Sequence, residues 1–205
     1  MTNEKVLTIS VESVRDALKQ GFFAVDASDL IGLLAQQSVF LDRPFAESDT
    51  THKQIIPYAV VTHGERVLLY QRSAKAGESR LHHKFSVGFG GHINDRDSAG
   101  QRDTNLILTA MVRELNEEVF LPGIVRIGIV GFINDDSNPV GQVHLGVVFV
   151  VELANDRFSV NEPDVIEARW AEPEEIEKAL PKLESWSRLL WLQYLAQRAA
   201  AGAEG

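Results

Sequence analysis

The 205-residue sequence contains no cysteine. Its absence excludes disulfide bonds, thiolate metal ligands and a cysteine nucleophile, so a metal ion would have to bind carboxylate or histidine side chains. Long hydrophobic runs are also missing, since no stretch reaches the roughly 18 consecutive apolar residues of a membrane-spanning helix. The opening residues MTNEKVLTIS do not resemble a secretory signal. We therefore expect a cytoplasmic protein with no membrane partner.

Positively charged residues are in the minority, with 20 Lys and Arg against 29 Asp and Glu and a formal net charge of −9. Proteins that bind nucleic-acid polymers usually carry an excess of Lys and Arg, so we expect no such partner. Hydrophobic residues make up 44% and charged residues 24%, which is typical of a globular protein. The length suits one large domain, or one domain with an added segment.

Residues 1–55 are predicted to form an N-terminal extension. They contain two short helical patterns, ESVRDALKQG and SDLIGLLAQQ, the second with Ser28 as its cap, and then a polar segment with Pro44 that predicts a linker or an ordered loop. Two short helices cannot bury a core by themselves. The extension should therefore pack on the main domain, where it caps the sheet or contributes to a homodimer interface.

Residues 56–205 have the pattern of a single domain. Apolar and β-branched runs such as IIPYAVV, RVLLYQR and KFSVGF predict strands, and LILTAMVRELNEEV predicts one helix in the middle. The apolar face of that helix is predicted to consist of Leu108, Met111, Leu115 and Val119. Further helices follow at the end of the chain. This order predicts an α+β protein, an α/β/α sandwich with a mixed β-sheet between helices, rather than a βαβ repeat.

The central helix carries a row of carboxylates. Glu114, Glu117 and Glu118 are spaced three and four residues apart, which projects them onto one strip of the helix. Like charges at this spacing repel by about 0.2–0.5 kcal/mol per pair, and a bound cation would reverse that effect. Oxygen ligands suit Mg²⁺, or Mn²⁺, rather than zinc. Taken alone, a glutamate-rich strip is more often a solvated helix face.

A glycine-rich strand end, KFSVGFGGHI, precedes this helix. Gly90 and Gly91 would let the backbone approach a ligand closely, with carbonyl and amide groups available to it. By itself the run is a weak signal, and it is not a GxGxxG motif because residue 93 is isoleucine. Arg113 lies one turn before Glu117 and could orient a carboxylate that does not bind the ion directly.

Together the glycines and the helix resemble the Nudix box, GX5EX7REUXEEXGU, where U is a bulky apolar residue. The residues that match its second half in register are Arg113, Glu114, Leu115, Glu117, Glu118 and Leu121. Gly90 and Gly91 resemble the glycines that open the box. The similarity covers roughly residues 56–195 and points to MutT-like Nudix hydrolases. The long loop and the run ESWSR resemble the subgroup described as predicted phosphoesterases.

The first half of the box departs from the pattern. Arg113 follows Gly91 by 22 residues, about eight more than in the box, so we expect a surface loop beside the substrate mouth. The isolated box glutamate falls on Asn105, and Asp97 and Asp103 are the candidates to replace it.

The end of the box also departs, because Phe120 stands where the box has a glycine. We therefore expect the helix to break later, at Pro122-Gly123. Neither departure removes one of the three glutamates.

The resemblance implies hydrolysis of a phosphoanhydride in a compound that links a diphosphate to another group. Nudix enzymes bind Mg²⁺ through the helix glutamates and a carbonyl of the opening glycines, and a metal-activated water attacks phosphorus. The implied catalytic residues are Glu114, Glu117 and Arg113, with the base being Glu114 or Glu117. The implied metal ligands are Gly90, Glu114, Glu117 and Glu118.

A phosphorylated small molecule is the expected substrate, and basic residues near the glycines would attract it. The substrate-binding candidates are Arg72, Gly91, His92 and Lys84, with Lys75, Arg80, His82 and His83 in the same stretch. The histidines are irregularly spaced and lack cysteine partners, which disfavours zinc. A later carboxylate often completes a Nudix metal site, and the candidates here are Glu162, Asp164 and Glu167.

Two other functions are compatible with this fold class. One is a non-catalytic module that binds a nucleotide or a sugar phosphate, although such modules usually lose box carboxylates. The other is a purely structural protein, which would need no pairing of glycines with carboxylates. The sequence leaves the substrate open among nucleoside triphosphates, dinucleotide polyphosphates, nucleotide sugars and non-nucleotide diphosphates.

Overall fold

The computed structural model describes residues 4–24, 30–72, 84–98 and 104–202, without the side chains of Arg72 and Thr104. In these ranges the strands are β1 (Lys5–Ser10), β2 (Gly21–Ala24), β3 (Val39–Asp42), β4 (His52–His63), β5 (Arg66–Arg72), β6 (Phe85–Ser86), β7 (Gly88–Gly90), β8 (Val119–Phe120), β9 (Ile124–Asn134), β10 (His144–Leu153), β11 (Ser159–Val160) and β12 (Ile166–Ala171).

The same ranges contain eight α-helical segments, most of them short. They are α1 (Val11–Val14), α2 (Leu30–Gln37), α3 (Arg43–Ala46), α4 (Thr104–Glu118), α5 (Pro139–Gln142), α6 (Pro173–Ala179), α7 (Ser185–Leu190) and α8 (Ala196–Gly202). Residues Asp95–Ser98 and Leu180–Lys182 form 3-10 turns, and Trp191–Leu195 forms a π-helical turn.

The chain divides into two compact units. The first consists of Met1–Tyr58, Gly90–Arg113 and Val130–Val148, and the second of Ala59–Phe89, Glu114–Ile129 and Phe149–Gly205. Strands β4, β7, β9 and β10 and helix α4 contribute residues to both units. Because the two units interleave along the chain, neither is a continuous segment of the sequence.

In the first unit, the N-terminal strands belong to the sheet. β1 pairs antiparallel with β3, from Lys5↔Asp42 to Thr8↔Val39, and also with the start of β4. β2 pairs antiparallel with the end of β9. The hydrogen-bonded order is therefore β3, β1, β4, β10, β9 and β2. Whether residues 1–55 form an appended element with a role in dimerisation stays a prediction.

The predicted helices of the N-terminal segment are present with shorter bounds. Helix α2 covers the second pattern, and its proposed cap Ser28 lies outside the described residues. Helix α1 is a single turn, and Gly21, with φ of 81°, begins β2. Part of the expected linker is instead strand, since β4 begins at His52 and its residues 53–62 are all buried. Strands buried on both faces can carry such continuous runs.

In the second unit, β12 pairs antiparallel with β5, from Ile166↔Arg72 to Ala171↔Val67, and β6 pairs with the far end of β5. The short strands β8 and β11 form a separate two-stranded sheet. Sheet and helices together confirm the predicted α+β class. Among the described residues, no helix has the length and apolar character needed to cross a membrane.

Candidate active site

Helix α4 carries the three box glutamates, as predicted. The helix is continuous through Glu118, so the side chains of Glu114, Glu117 and Glu118 lie on one side of it. Glu117 is exposed, and the other two are half-buried. These residues belong to the second unit. An exposed central carboxylate between two half-buried ones leaves the strip accessible to a small ion.

The opposite face of α4 is mostly the predicted one. Met111, Leu115 and Val119 are almost fully buried, whereas Leu108 is 37% exposed. Near the start of the helix the buried residues are Leu106, Ile107 and Ala110. The prediction for Leu108 is therefore wrong. The side of the helix that faces the core changes along its length, so no single row of side chains is buried throughout.

The C-terminal end of α4 explains how the helix stops without the box glycine. The Asn161 side chain donates to the carbonyls of Asn116 at 2.7 Å and Glu117 at 3.4 Å, and its backbone N–H donates to the Glu118 carbonyl at 3.0 Å. These bonds satisfy carbonyls that the last helical turn leaves open. The expected later break at Pro122-Gly123 is wrong, since β8 begins directly at Val119.

A residue without a side chain is required at Gly90, because the backbone there passes close to strand β4. A Cβ atom at this position would lie 3.0 Å from the Pro57 carbonyl oxygen and 3.2 Å from Cδ2 of Tyr58. β7, which ends at Gly90, also hydrogen-bonds to β4. A side chain would push the strand end away from β4, so glycine keeps the backbone that follows it in place.

Arg113 is held by an acidic partner from the long loop. Its Nε and one terminal nitrogen donate to the two carboxylate oxygens of Asp97, at 2.7 and 2.8 Å, and that terminal nitrogen also donates to the His92 carbonyl at 3.0 Å. The Asp97 side chain is 5% exposed. Of the two candidates to replace the box glutamate, Asp97 contacts Arg113, while Asp103 lies outside the described residues. Through these contacts Arg113 positions the loop that follows the paired glycines.

The part of the loop after Gly91 that the structure describes is ordered by the same aspartate. The Asn94 N–H donates to the Asp97 carboxylate at 3.0 Å, and the Arg96 N–H donates to the Asn94 side chain. Asn94 also forms a β-bridge with Val6 of β1. The expected surface loop is therefore anchored at its beginning, while residues 99–103 lie outside the described residues.

We expect Asp97→Asn to destabilise the protein by about 2–3 kcal/mol, because bonds from a charged donor to a nearly buried carboxylate contribute about 1.5–3 kcal/mol. Urea unfolding of the metal-free protein would measure this. The matched control is Asp95→Asn, in the same 3-10 turn but exposed, which should change stability by no more than about 0.5 kcal/mol. Equal losses in the two variants would contradict the anchoring role of Asp97.

Residues of the C-terminal ESWSR run support the strand that leads to the glycines. The Ser187 hydroxyl is fully buried, accepts from the Val87 N–H at 2.9 Å and donates to the Glu184 carboxylate at 2.6 Å. The Glu184 N–H donates to the Phe85 carbonyl. Phe89 stacks on Tyr70 with ring centroids 4.5 Å apart. All these contacts lie within the second unit, and they make both aromatic rings part of the core.

A histidine cluster, which we define as Glu47, His92 and His144, lies in the first unit. Each residue offers one ligand atom within 4.8 Å of the other two. Burial, reinforced by Arg43 and His144, lowers the pKa of His92 to about 4. Burial also lowers the pKa of His144. Both rings are therefore uncharged at neutral pH. Sequence reasoning considered His92 only as a phosphate ligand and did not consider His144 or Glu47.

The remaining candidates are distributed over both units. Gly91 and His92 belong to the first unit, and Lys84, which is exposed, belongs to the second. The backbone of Arg72 ends β5, and its side chain is outside the described residues, as are Lys75, Arg80, His82 and His83.

The three later carboxylates also belong to the second unit. Glu162 follows Asn161, the residue that caps α4, whereas Glu167 lies on β12 opposite Gln71. Asp164 is exposed between them. The capping bonds of Asn161 therefore bring the backbone of Glu162 to the end of the helix that carries the glutamates.

Comparison with known proteins agrees with these features. A family model of the NUDIX domain matches residues 53–192. Protein YmaB of Bacillus subtilis (strain 168) is 35% identical over 178 residues, which cover 83% of this chain and 86% of that protein. The crystal structure of Tm1382, a presumed Nudix hydrolase, matches with a TM-score of 0.80 and 32% identity, covering 95% of this chain and 100% of that chain.

A more distant structure shares the fold. The NUDIX domain of Shewanella oneidensis NrtR, complexed with ADP ribose, matches with a TM-score of 0.51 and 14% identity, over 72% of this chain and 88% of that chain. At this identity the similarity is one of fold.

An α+β fold in which a glycine-ended strand precedes a helix with three aligned glutamates agrees with the class of hydrolases that the sequence predicts. The domain match and the relatives identify the class more narrowly, and the chain belongs to the Nudix family. It is an enzyme of the pyrophosphohydrolase type, and enzymes of this family generally use divalent metal ions.

Proposed function

We propose that the chain is a Mg²⁺-dependent hydrolase that cleaves a phosphoanhydride bond where a diphosphate is linked to another group, most simply a nucleoside. The observation that carries this proposal is the strip of Glu114, Glu117 and Glu118 on one side of α4 in a Nudix chain. Retention of all three carboxylates favours turnover over ligand binding alone.

The donor set fits the proposed ion. Mg²⁺ prefers oxygen ligands, typically one or two protein carboxylates together with waters and substrate phosphates, and Mn²⁺ accepts the same set. Glu114, Glu117 and Glu118 offer carboxylate oxygens from a single rigid helix. The carbonyl of Gly90 as a further ligand remains the prediction of the box, and Glu162 is our first choice for a later carboxylate.

When bound, the divalent ion would lower the pKa of a coordinated water and offset the charge of the phosphates. The glutamates would hold that ion, and Glu114 or Glu117 would take the proton of the attacking water. A bond forms between the water oxygen and phosphorus, the bridging P–O bond breaks, and the leaving phosphate departs. Arg113 would act as a positioning residue, since Asp97 and the His92 carbonyl hold its guanidinium.

Phosphate binding would involve Arg72, Lys84 and the amide of Gly91. Positive charge and free backbone N–H groups are the usual partners of phosphate oxygens. We leave the ring of His92 out of this set, because a pKa of about 4 makes it uncharged at neutral pH.

The test is a substrate panel with Mg²⁺ or Mn²⁺. Nucleoside triphosphates, dinucleotide polyphosphates, nucleotide sugars and non-nucleotide diphosphates would be assayed in ¹⁸O-labelled water, with ADP ribose first because it is bound in the NrtR domain. We expect metal-dependent turnover with one labelled oxygen in a phosphate product. Tight binding of a panel compound without turnover would instead favour the binding module.

A further inference from the structure

The histidine cluster combines two imidazole nitrogens with one carboxylate, whereas the glutamates of α4 offer carboxylate oxygens alone. Glu47 follows helix α3, His92 follows the paired glycines, and His144 begins β10. Ligand atoms of a tetrahedral ion with bonds of about 2.1 Å lie about 3.4 Å apart. The cluster is within 4.8 Å, and the Glu47 side chain is 42% exposed. A rotation of this carboxylate would therefore shorten its distance to the histidine nitrogens.

Hydrogen bonding leaves a ring nitrogen of each histidine able to bind an ion. His144 Nδ1 donates to the Val140 carbonyl at 2.7 Å, which leaves the lone pair on Nε2. His92 Nε2 is buried without a hydrogen-bond partner among the described residues, and the nearest Glu47 oxygen is 3.9 Å away. A buried polar atom without a partner destabilises the folded protein, and a bound ion would remove that cost.

The charges around the cluster also permit a cation. Arg43 is paired with Glu4 at 2.9 Å and with Glu47 at 3.4 Å. Lys53, which also acts on His144, is paired with Asp136 at 2.7 Å. Each of these positive groups therefore has a carboxylate partner, and Glu47 places negative charge at the cluster itself, which favours a dication.

We propose that Glu47, His92 and His144 bind a first-row transition-metal dication, with Zn²⁺ as the first candidate. Two imidazoles and one carboxylate are a common ligand set for such ions, whereas Mg²⁺ prefers oxygen alone. The ion would link the segment after α3 to the start of β10 and to the loop after β7, all within the first unit. This site does not depend on the function proposed for α4.

The test is direct metal binding to chelator-treated full-length protein. Zn²⁺ would be titrated calorimetrically, and Co²⁺ by its visible absorption, with Mg²⁺ in excess so that oxygen-only sites are occupied. We expect one ion per chain. Mutation of a residue that only hydrogen-bonds to a metal ligand weakens metal binding about 10–100-fold. Glu47→Gln and His144→Gln each remove a ligand itself. Each should therefore weaken Zn²⁺ binding at least tenfold.

The matched control is Glu4→Gln, which removes the same charge beside the same Arg43 but no ligand atom. It should weaken Zn²⁺ binding much less than Glu47→Gln does, because it keeps all three ligand atoms. Glu117→Gln should bind Zn²⁺ like the parent protein, since its effect is expected on hydrolysis alone. Zn²⁺ should also raise the melting temperature of the parent and of Glu4→Gln but not of Glu47→Gln.

Absence of stoichiometric Zn²⁺ and Co²⁺ binding by the parent protein, or unchanged affinity in Glu47→Gln, would overturn the proposal. Should His144→Gln not fold, Glu47→Gln still decides the question, because the Glu47 side chain is 42% exposed and its replacement should not prevent folding.

Discussion

Replacing Glu117 or Glu118 by glutamine should lower kcat by about two to four orders of magnitude, or about 3–5 kcal/mol in the activation free energy. Glutamine keeps the size and the helix propensity of glutamate but removes one negative charge from the proposed metal strip. The loss should fall mainly on kcat, because these carboxylates act on the ion and the water rather than on the remote part of the substrate.

The fold should be unaffected by the first of these changes. Glu117 is exposed, so Glu117→Gln should alter the free energy of unfolding of the metal-free protein by no more than about 0.5 kcal/mol. Mg²⁺-dependent hydrolysis and urea unfolding of each variant make up the measurement. Glu177→Gln, an exposed glutamate on α6, is the matched control and should keep parental activity. Full activity in both Glu117→Gln and Glu118→Gln would falsify the metal site on α4.

Replacing Lys53 by methionine should destabilise the protein by about 2–4 kcal/mol. Lys53 lies on β4, is 2% exposed, and its Nζ donates to Asp136 at 2.7 Å and to the carbonyls of Gly141 and Gln142 at 2.9 and 3.1 Å. Methionine fills similar space but donates nothing, so both carbonyls lose their charged donor. At about 2–4 °C per kcal/mol, the melting temperature should fall by roughly 4–16 °C.

The loop that Lys53 holds is compact. A Cβ atom at Gly141 would lie 1.7 Å from the Asp135 carbonyl oxygen, so no side chain fits there. Burial by itself would raise the pKa of Asp136, but hydrogen bonds from Lys53 and Gln20 outweigh it and hold that pKa below its ordinary value. The ion pair between Lys53 and Asp136 therefore stabilises the ionised carboxylate beside the buried ammonium.

The control for Lys53→Met is Lys19→Met, since Lys19 is exposed and its loss should change stability by no more than about 0.5 kcal/mol. Thermal and urea unfolding of both variants would be compared with the parent. A melting temperature for Lys53→Met within one or two degrees of the parent would show that Lys53 is dispensable to the loop.

Local sequence patterns were sufficient for the class of fold and for the glutamate helix. Strand β5 and helix α4 lie close to where the apolar run RVLLYQR and the helical periodicity predict them, because these patterns depend on neighbouring residues alone. The spacing of Glu114, Glu117 and Glu118 likewise needs no tertiary information, since a helix places residues three and four apart on one side.

Tertiary structure decided which residues support these groups. Asp97 is the partner of Arg113, Asn161 caps the end of α4, and His92 lies beside His144 and Glu47. Lys53 is also buried, although it stands in a polar run that predicts a loop. Each of these contacts joins residues from different elements. Periodicity and residue spacing carry no information on such partners, because they are chosen by the packing of the strands and loops that bring them together.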